Sequence, residues 1–278
     1  MTSAFRTRYE LSPAQALRVT AEFLAAHPTP RGRFVCAVAG PESPLADVGR
    51  ALERQVFEHT FGNDSAVMAA EYGPYEANSL FFVVIDRRRG VPAGVARMIE
   101  STGRGVKTID DAPQHIGVDV DTILAAHGMD GGRVWDCATL AVLPEYRGGR
   151  SSLIVSSMLY RTFLVIGRRR GIRHAVSMLD RGAYRNIGLM GTPLEPLAGS
   201  GPFAYLGSPE NRAVYMDFPA IAPAVAAQAA VHRRAGRMRL SALRPSGLRR
   251  MLTRRVAATV SERVGTGRDI DDLIVVPE

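Results

Sequence analysis

Apolar positions recur along this chain with two periods, one helical and one strand-like, and their alternation outlines a fold. From Ser12 to His27 the run SPAQALRVTAEFLAAH carries apolar residues at helical spacing. Ser12 suits the N-cap and Pro13 the first helical position, and Pro28 and Pro30 stop the run. A short strand is expected at RFVCAVAG, then a helix from about Leu45 to Thr60 that ends near Gly62 and Asn63. Leu80 to Asp86 (LFFVVID), the turn RRRGVP and the run AGVARMIE read as an antiparallel hairpin.

Val134 to Val142 (VWDCATLAV) predicts another strand, broken at Pro144. A long helix from Ser151 to about Arg169 follows, then a strand from Ile172 to Met178 and a short helix from Ala183 to Met190. Strands near Phe203 to Leu206 and Ala213 to Phe218 complete the pattern. This alternation predicts an α/β fold around one mixed sheet. Past Phe218 alanine and arginine dominate, and no acid occurs until Glu262. A helix from Pro223 to Arg233, a Gly/Pro-punctuated linker and a helix from about Leu248 to Val264 are expected there. The domain reading is an N-terminal helix and strand over 1–43, a main domain over 44–218 and a basic helical extension over 219–278.

Composition narrows the function classes. The 278 residues, 46% hydrophobic and 22% charged, suit one large globular core. No apolar run approaches the ~18 residues of a membrane span, and MTSAFRTRYELSP lacks the apolar stretch of a secretory signal. A cytoplasmic protein is the expectation. Cys36 and Cys137 sit in strand-like apolar runs, where a free thiol is usually buried. The histidines show no HxH or HExxH spacing, so no metal site is expected.

The net charge is +8, and Lys107 is the only lysine among the basic residues. Such a balance attracts nucleic acid, a membrane surface, a nucleotide cofactor or an acidic carrier protein. No aromatic interleaving accompanies the charge, which argues against nucleic acid. In the arginine-dense tail Leu248, Met251, Leu252 and Val256 recur at helical spacing, interrupted by Arg255, which reads as a helix packed on the domain with a solvated basic side, or as a contact for a membrane surface or an acidic partner.

One segment carries candidate chemistry: a strand, then Pro144-Glu145-Tyr146-Arg147-Gly148-Gly149-Arg150-Ser151-Ser152, then a helix. A helix that starts after a glycine turn points unpaired N–H groups and its positive dipole end outward, which is a cradle for a pyrophosphate. Arg147 and Arg150 would add charge-assisted contacts. An ordinary strand-to-helix turn with solvated arginines has the same local pattern.

The run LAVLPEYRGGRSSLIVSSML closely resembles the acyl-CoA-binding motif of the GNAT superfamily of N-acyltransferases. Val142, Pro144, Arg147, Gly148 and the apolar helix follow that motif, whereas Arg150 and Ser152 stand where it has later glycines. Tyr184-Arg185-Asn186-Ile187-Gly188-Leu189 resembles the family's tyrosine signature after the next strand. Arg54-Gln55-Val56-Phe57, the run from Glu71 to Glu76, the run from Gly94 to Ile99, Val134-Trp135-Asp136 and the run from Gly191 to Leu197 are similar to a narrower branch. That branch comprises the acyl-homoserine lactone synthases and N-acyl amino acid synthases, and the resemblance spans about Leu45 to Phe218. Where the branch has Glu and, three residues on, Arg, this chain has Asp136 and Thr139.

The resemblance implies a GNAT fold, with a mixed, mostly antiparallel sheet flanked by helices and extra helices at both ends. It implies transfer of an acyl group, long chains included, from acyl-CoA or acyl carrier protein to the amine of a small molecule or amino acid. Leu140, Val142, Arg147, Gly148, Gly149, Arg150, Ser151 and Ser152 would hold the donor. Asp136, or else Glu71, would take the amine's proton, and Tyr184 would protonate the departing thiolate. Main-chain groups of the strand before the loop would stabilise the developing oxyanion. Trp135 and Arg97 would face the substrate, Arg97 pairing with a substrate carboxylate or with Asp136. A short-chain acetyl-CoA-dependent enzyme is one alternative, and a non-catalytic domain that binds acyl thioesters or a partner protein is another. A deep apolar tunnel beside Val142 would mark a long-chain donor, and a shallow pocket an acetyl donor.

Overall fold

The computed structural model of the chain describes residues 6–28, 31–129, 131–147, 149–235, 259–265 and 274–276. Helix α1 (Pro13–Ala26) starts at the expected cap, where Ser12 and Gln15 form a capping box. Strand β1 (Phe34–Ala39) follows, then α2 (Pro44–Phe61), which Gly62 ends in the left-handed conformation at φ 80°. Strands β2 (Ser79–Asp86) and β3 (Val91–Ser101) form the expected hairpin.

Between Gly62 and Val134 lie three helices that no long apolar period announces: α3 (Ser65–Tyr72), α4 (Lys107–Ile116) and α5 (Val120–Ala126). They are short, and their starts are set by caps: Asp64 holds α3 and Asp119 holds α5. The centre of the chain then runs β4 (Val134–Val142), α6 (Gly149–Arg169), β5 (His174–Asp180) and α7 (Arg181–Met190). Strands β6 (Glu195–Pro196), β7 (Phe203–Tyr205) and β8 (Ser208–Asp217) lead into α8 (Phe218–Ala235). Helix α8 therefore begins five residues before the expected Pro223, which lies inside it. Phe218, Ile221 and Val225 form one buried stripe, and their packing outweighs the hydrogen bond that the proline removes.

The strands form one sheet in the order β6-β8-β5-β4-β3-β2-β1-β9, with β7 paired to β8 and β9 being Ile274–Val275. All pairs are antiparallel except β4–β5 and β1–β9. Both ends of the chain thus join the sheet: β1 pairs with β2 from Phe34–Asp86 to Ala39–Phe81, so the expected boundary at 43 falls inside one core. Of the expected helix from Leu248 to Val264, residues 248–258 lie outside the described ones, and 259–265 are helical.

Helices cover both faces. Helix α6 crosses one face at Gly94, where a side chain would come within 2.7 Å of Val155. Trp135, Phe82, Phe163 and Phe218 meet on that face in edge and tilted ring contacts. Trp135, Phe82 and Phe218 are buried, each contributing about 1.5–3 kcal/mol, and Phe163 is partly buried. The other face carries α2 and α4 and a set of buried charges. None of the described helices is long and apolar enough to cross a membrane.

Candidate active site

The site begins where two strands part. β4 and β5 pair only through Val134–His174, Trp135–Ala175 and Asp136–Val176. One further tie follows, from the Ser177 hydroxyl to the Cys137 carbonyl at 2.8 Å. On its other edge β4 stays paired to β3 as far as Val142, with a register shift opposite Arg97 and Met98 that leaves Ala138 as a bulge. Main-chain groups of residues 138–142 that face β5 therefore have no strand partner, so a ligand there would meet hydrogen-bonding backbone.

A cavity of about 190 Å³ fills this gap and reaches both faces of the sheet. Strand alternation sends Thr139 to the face of α2, where it bonds Glu53, and Leu140 to the other face. On the α2 and α4 side the walls are Phe57, Tyr72, Lys107, Thr108 and Tyr205. On the α6 side they are apolar: Leu159 and Phe163 of α6, Ile187 and Met190 of α7, and Val225 of α8. Asp180 lies in the wall where β5 ends and caps α7, accepting from the Gly182 and Ala183 amides at 2.6 and 3.0 Å.

Asp136 sits one step behind this wall. Helix α4 has no side-chain cap from its own start, and Asp136 supplies one from β4. Its carboxylate accepts from the Thr108 amide at 2.5 Å and from the Thr108 hydroxyl at 2.9 Å. The group is fully buried, and burial pushes its pKa up to about 7 against the opposing pull of the Thr108 bonds and of Lys107. Thr108 itself lines the cavity, and its hydroxyl donates to the aspartate.

Glu71 enters through Lys107. The Lys107 ammonium bonds both Glu71 and Asp111, and it lies 5.6 Å from the centre of the Tyr72 ring and 5.5 Å from that of Tyr205. Tyr205 completes the group by donating to Asp111 at 2.9 Å. Lys107 is buried and lines the cavity, whereas Glu71 does not.

Two phenols stand near the gap. Tyr160 of α6 lines it beside Cys137, and burial pushes the phenol's pKa up to about 12, so it stays protonated. The Cys137 thiol is likewise raised by burial, which leaves it a poor nucleophile. Tyr184 lies on the first turn of α7, half-buried against the main core, with the Arg212 guanidinium 5.0 Å from its ring centre. Its neighbour Ala183 lines the cavity and Tyr184 does not.

The two expected substrate contacts lie elsewhere. Trp135 is fully buried between α6 and α8 and donates to Glu100 at 3.0 Å. Arg97 points to the α2 side, where it meets Glu53 at 2.7 Å, Glu76 at 3.1 Å and the Tyr9 hydroxyl at 2.7 Å. Burial opposes its charge, but Glu53, Tyr9 and Glu76 outweigh burial and hold the guanidinium protonated. Arg50 bonds Glu76 from the other side, and Thr139 bonds Glu53. Arg97 thus pairs with Glu53 and Glu76 instead of Asp136.

In the donor loop, Leu140 is 40% exposed and lines the cavity. Arg147 folds back so that its Nε donates to the Val142 carbonyl at 2.7 Å, fastening the turn to the end of β4. Gly148 lies outside the described residues. Gly149, Arg150, Ser151 and Ser152 form the first turn of α6 and are described by backbone alone. Among the described residues, no three His, Cys, Asp or Glu side chains gather as a metal site requires. Residues that sequence reasoning missed are Thr108, Tyr160 and Lys107, and only Lys107 left a signal, as a single lysine among arginines.

No family model matches the chain, and no curated protein matches it. Solved structures do. FeeM, an N-acyl amino acid synthase from uncultured soil microbes, is similar over 69% of this chain and 94% of its own, at 15% identity and a TM-score of 0.51. TofI, solved in a ternary complex with an inhibitor and MTA, matches over 70% of this chain and 96% of its own, at 15% identity and a TM-score of 0.49. BjaI, a CoA-dependent acyl-homoserine lactone synthase, matches over 79% and 99%, at 12% identity and a TM-score of 0.47. The fold assignment rests on the first of these together with the sheet order and the parting of β4 from β5: the chain has the GNAT fold.

Proposed function

We propose that this chain is an N-acyltransferase that moves a long acyl group from a pantetheine thioester, on CoA or on an acyl carrier protein, to the amine of a small molecule such as an amino acid. One observation carries the reading: the cavity through the β4–β5 gap has an apolar half under α6, α7 and α8 and a polar half under α4. A thioester lying in the gap would have its carbonyl against the unpaired main chain of β4 and its acyl tail among the apolar walls. The net charge of +8 suits either donor, since both carry phosphate. The likeness of fold to an N-acyl amino acid synthase supports the same reading.

The chemistry follows from these positions. The amine nitrogen attacks the thioester carbonyl carbon, and the oxyanion that forms is met by N–H groups near the Ala138 bulge. The amine gives a proton to the Thr108 hydroxyl as that hydroxyl passes its own to Asp136. A carboxylate of pKa about 7 is matched to this task at neutral pH. The C–S bond then breaks, and the sulfur leaves as a thiolate that takes a proton from a phenol, Tyr184 by resemblance or Tyr160 by its place in the wall.

The test is direct. Purified protein is incubated with acyl-CoAs of graded length and a mixture of amino acids and small amines, then with the same acyl groups on carrier protein. Thiol release is followed by absorbance, and N-acyl products are identified by mass spectrometry. Amide products from long-chain donors support the reading. Products from acetyl-CoA alone would replace it with a short-chain enzyme, and donor binding without any product would leave a binding domain.

A further inference from the structure

The apolar half of the cavity takes one wall residue from a segment remote in sequence from the others. Val264, in the helical segment 259–265, lines the cavity together with Leu164, Met190 and Val225. Val260 and Val264 are both buried in the main core. Polar bonds fix the segment. The Ser261 hydroxyl donates to the Met190 carbonyl at 3.1 Å, at the end of α7. The Arg161 guanidinium, from the middle of α6, donates to the Val264 and Gly265 carbonyls at 3.1 and 3.3 Å. The buried Arg161 guanidinium and these two carbonyls satisfy one another away from water. Ser261 and Arg161 are both buried.

We infer that Val264 is the terminal wall of the acyl pocket and sets the longest acyl chain that the protein accepts. The inference rests on the acyl-transfer reading above, and deepens it. The wall is a fixed stop, because a chain long enough to move Val264 must break the buried bonds from Arg161 and Ser261. Shorter chains leave apolar wall uncovered and gain less from burial, so selectivity is expected on both sides of an optimum.

Binding of S-alkyl pantetheines of graded length tests this on the full chain. These thioethers carry the part that CoA and carrier-protein donors share, and they do not react. Titration calorimetry gives the ratio of affinities for a hexadecyl and an octyl compound. In Val264→Phe that ratio is expected to fall about 10-fold or more, and in Val264→Ala to rise by a similar factor. Circular dichroism and a thermal melt check that each variant is folded. Should Val264→Phe fail to fold, Val264→Ala, which cannot overpack, decides alone. An unchanged ratio in a folded variant overturns the wall while leaving the acyl-transfer reading intact. If the parent binds none of the compounds, the acyl-transfer reading falls, and the wall with it.

Discussion

The hydroxyl of Ser177 donates to the carbonyl of Cys137 at 2.8 Å, and past that bond β4 and β5 go separate ways. It pins the closed end of the gap, so the unpaired stretch starts at a fixed residue.

Asp136 couples the site to pH. Its folded pKa of about 7 lies above the ~3.9 of an unfolded aspartate, so folding favours the protonated form. Its contribution to stability is fully present below ~pH 4 and is lost as the pH rises through about 7. Asp136→Asn removes that dependence, so its melting temperature should gain on the parent's between about pH 4 and pH 7 and hold level above. In activity, Asp136→Asn and Thr108→Val should each lower kcat by ~10²-fold while Thr108→Ser retains it. Equal turnover in Thr108→Val would remove the relay.

The two phenols are separable. If Tyr184 protonates the thiolate, Tyr184→Phe lowers kcat by ~10²-fold with donor affinity unchanged, and Tyr160→Phe does not. The reverse pattern assigns the step to Tyr160, whose phenol lines the gap. Steady-state kinetics with one long-chain donor, together with the donor Kd, decides between them.

Arg97 is predicted to be structural. Arg97→Met leaves the buried Glu53 and Glu76 with one cation fewer and should cost ~3–5 kcal/mol in urea unfolding. Glu53→Gln should cost less, because Thr139 still has an acceptor there. A variant of undiminished stability with a raised KM for acceptor would return Arg97 to substrate binding.

Arg147 tests the donor loop. Its side chain holds the Val142 carbonyl, so Arg147→Ala should loosen the turn and weaken CoA binding by ~1–3 kcal/mol in titration calorimetry. Undiminished binding would take Arg147 out of the site.

Local signals made much of the fold legible. The hairpin from Leu80 to Ile99 is two largely apolar runs joined by a charged, glycine-containing turn, Ser12 and Pro13 mark a helix start, and the break at Pro144 follows the end of β4. What stayed hidden depends on partners far away in sequence. VWDCATLAV reads as an unbroken strand, and nothing in it marks the residue at which β5 stops pairing. Asp136 meets Thr108 across 28 positions and Arg97 meets Glu53 across 44, so neither pairing has a spacing to read. Helix α4 escaped notice for the same reason, since its cap comes from β4 instead of its own start. In the described part, 259–265, of the helix expected from about Leu248 to Val264, Val260 and Val264 face the core.

The solitary lysine has a practical consequence. Arginine supplies every other long basic side chain, so an amine-reactive label has one side-chain target in the whole protein, and that target lines the cavity between Glu71, Asp111 and two tyrosine rings. Apart from the α-amino group, any adduct found by mass spectrometry reports on Lys107. The protein carries its own single-site probe: the rate of labelling, with and without a bound donor or acceptor, reads occupancy of the polar half of the cavity without an assay for product.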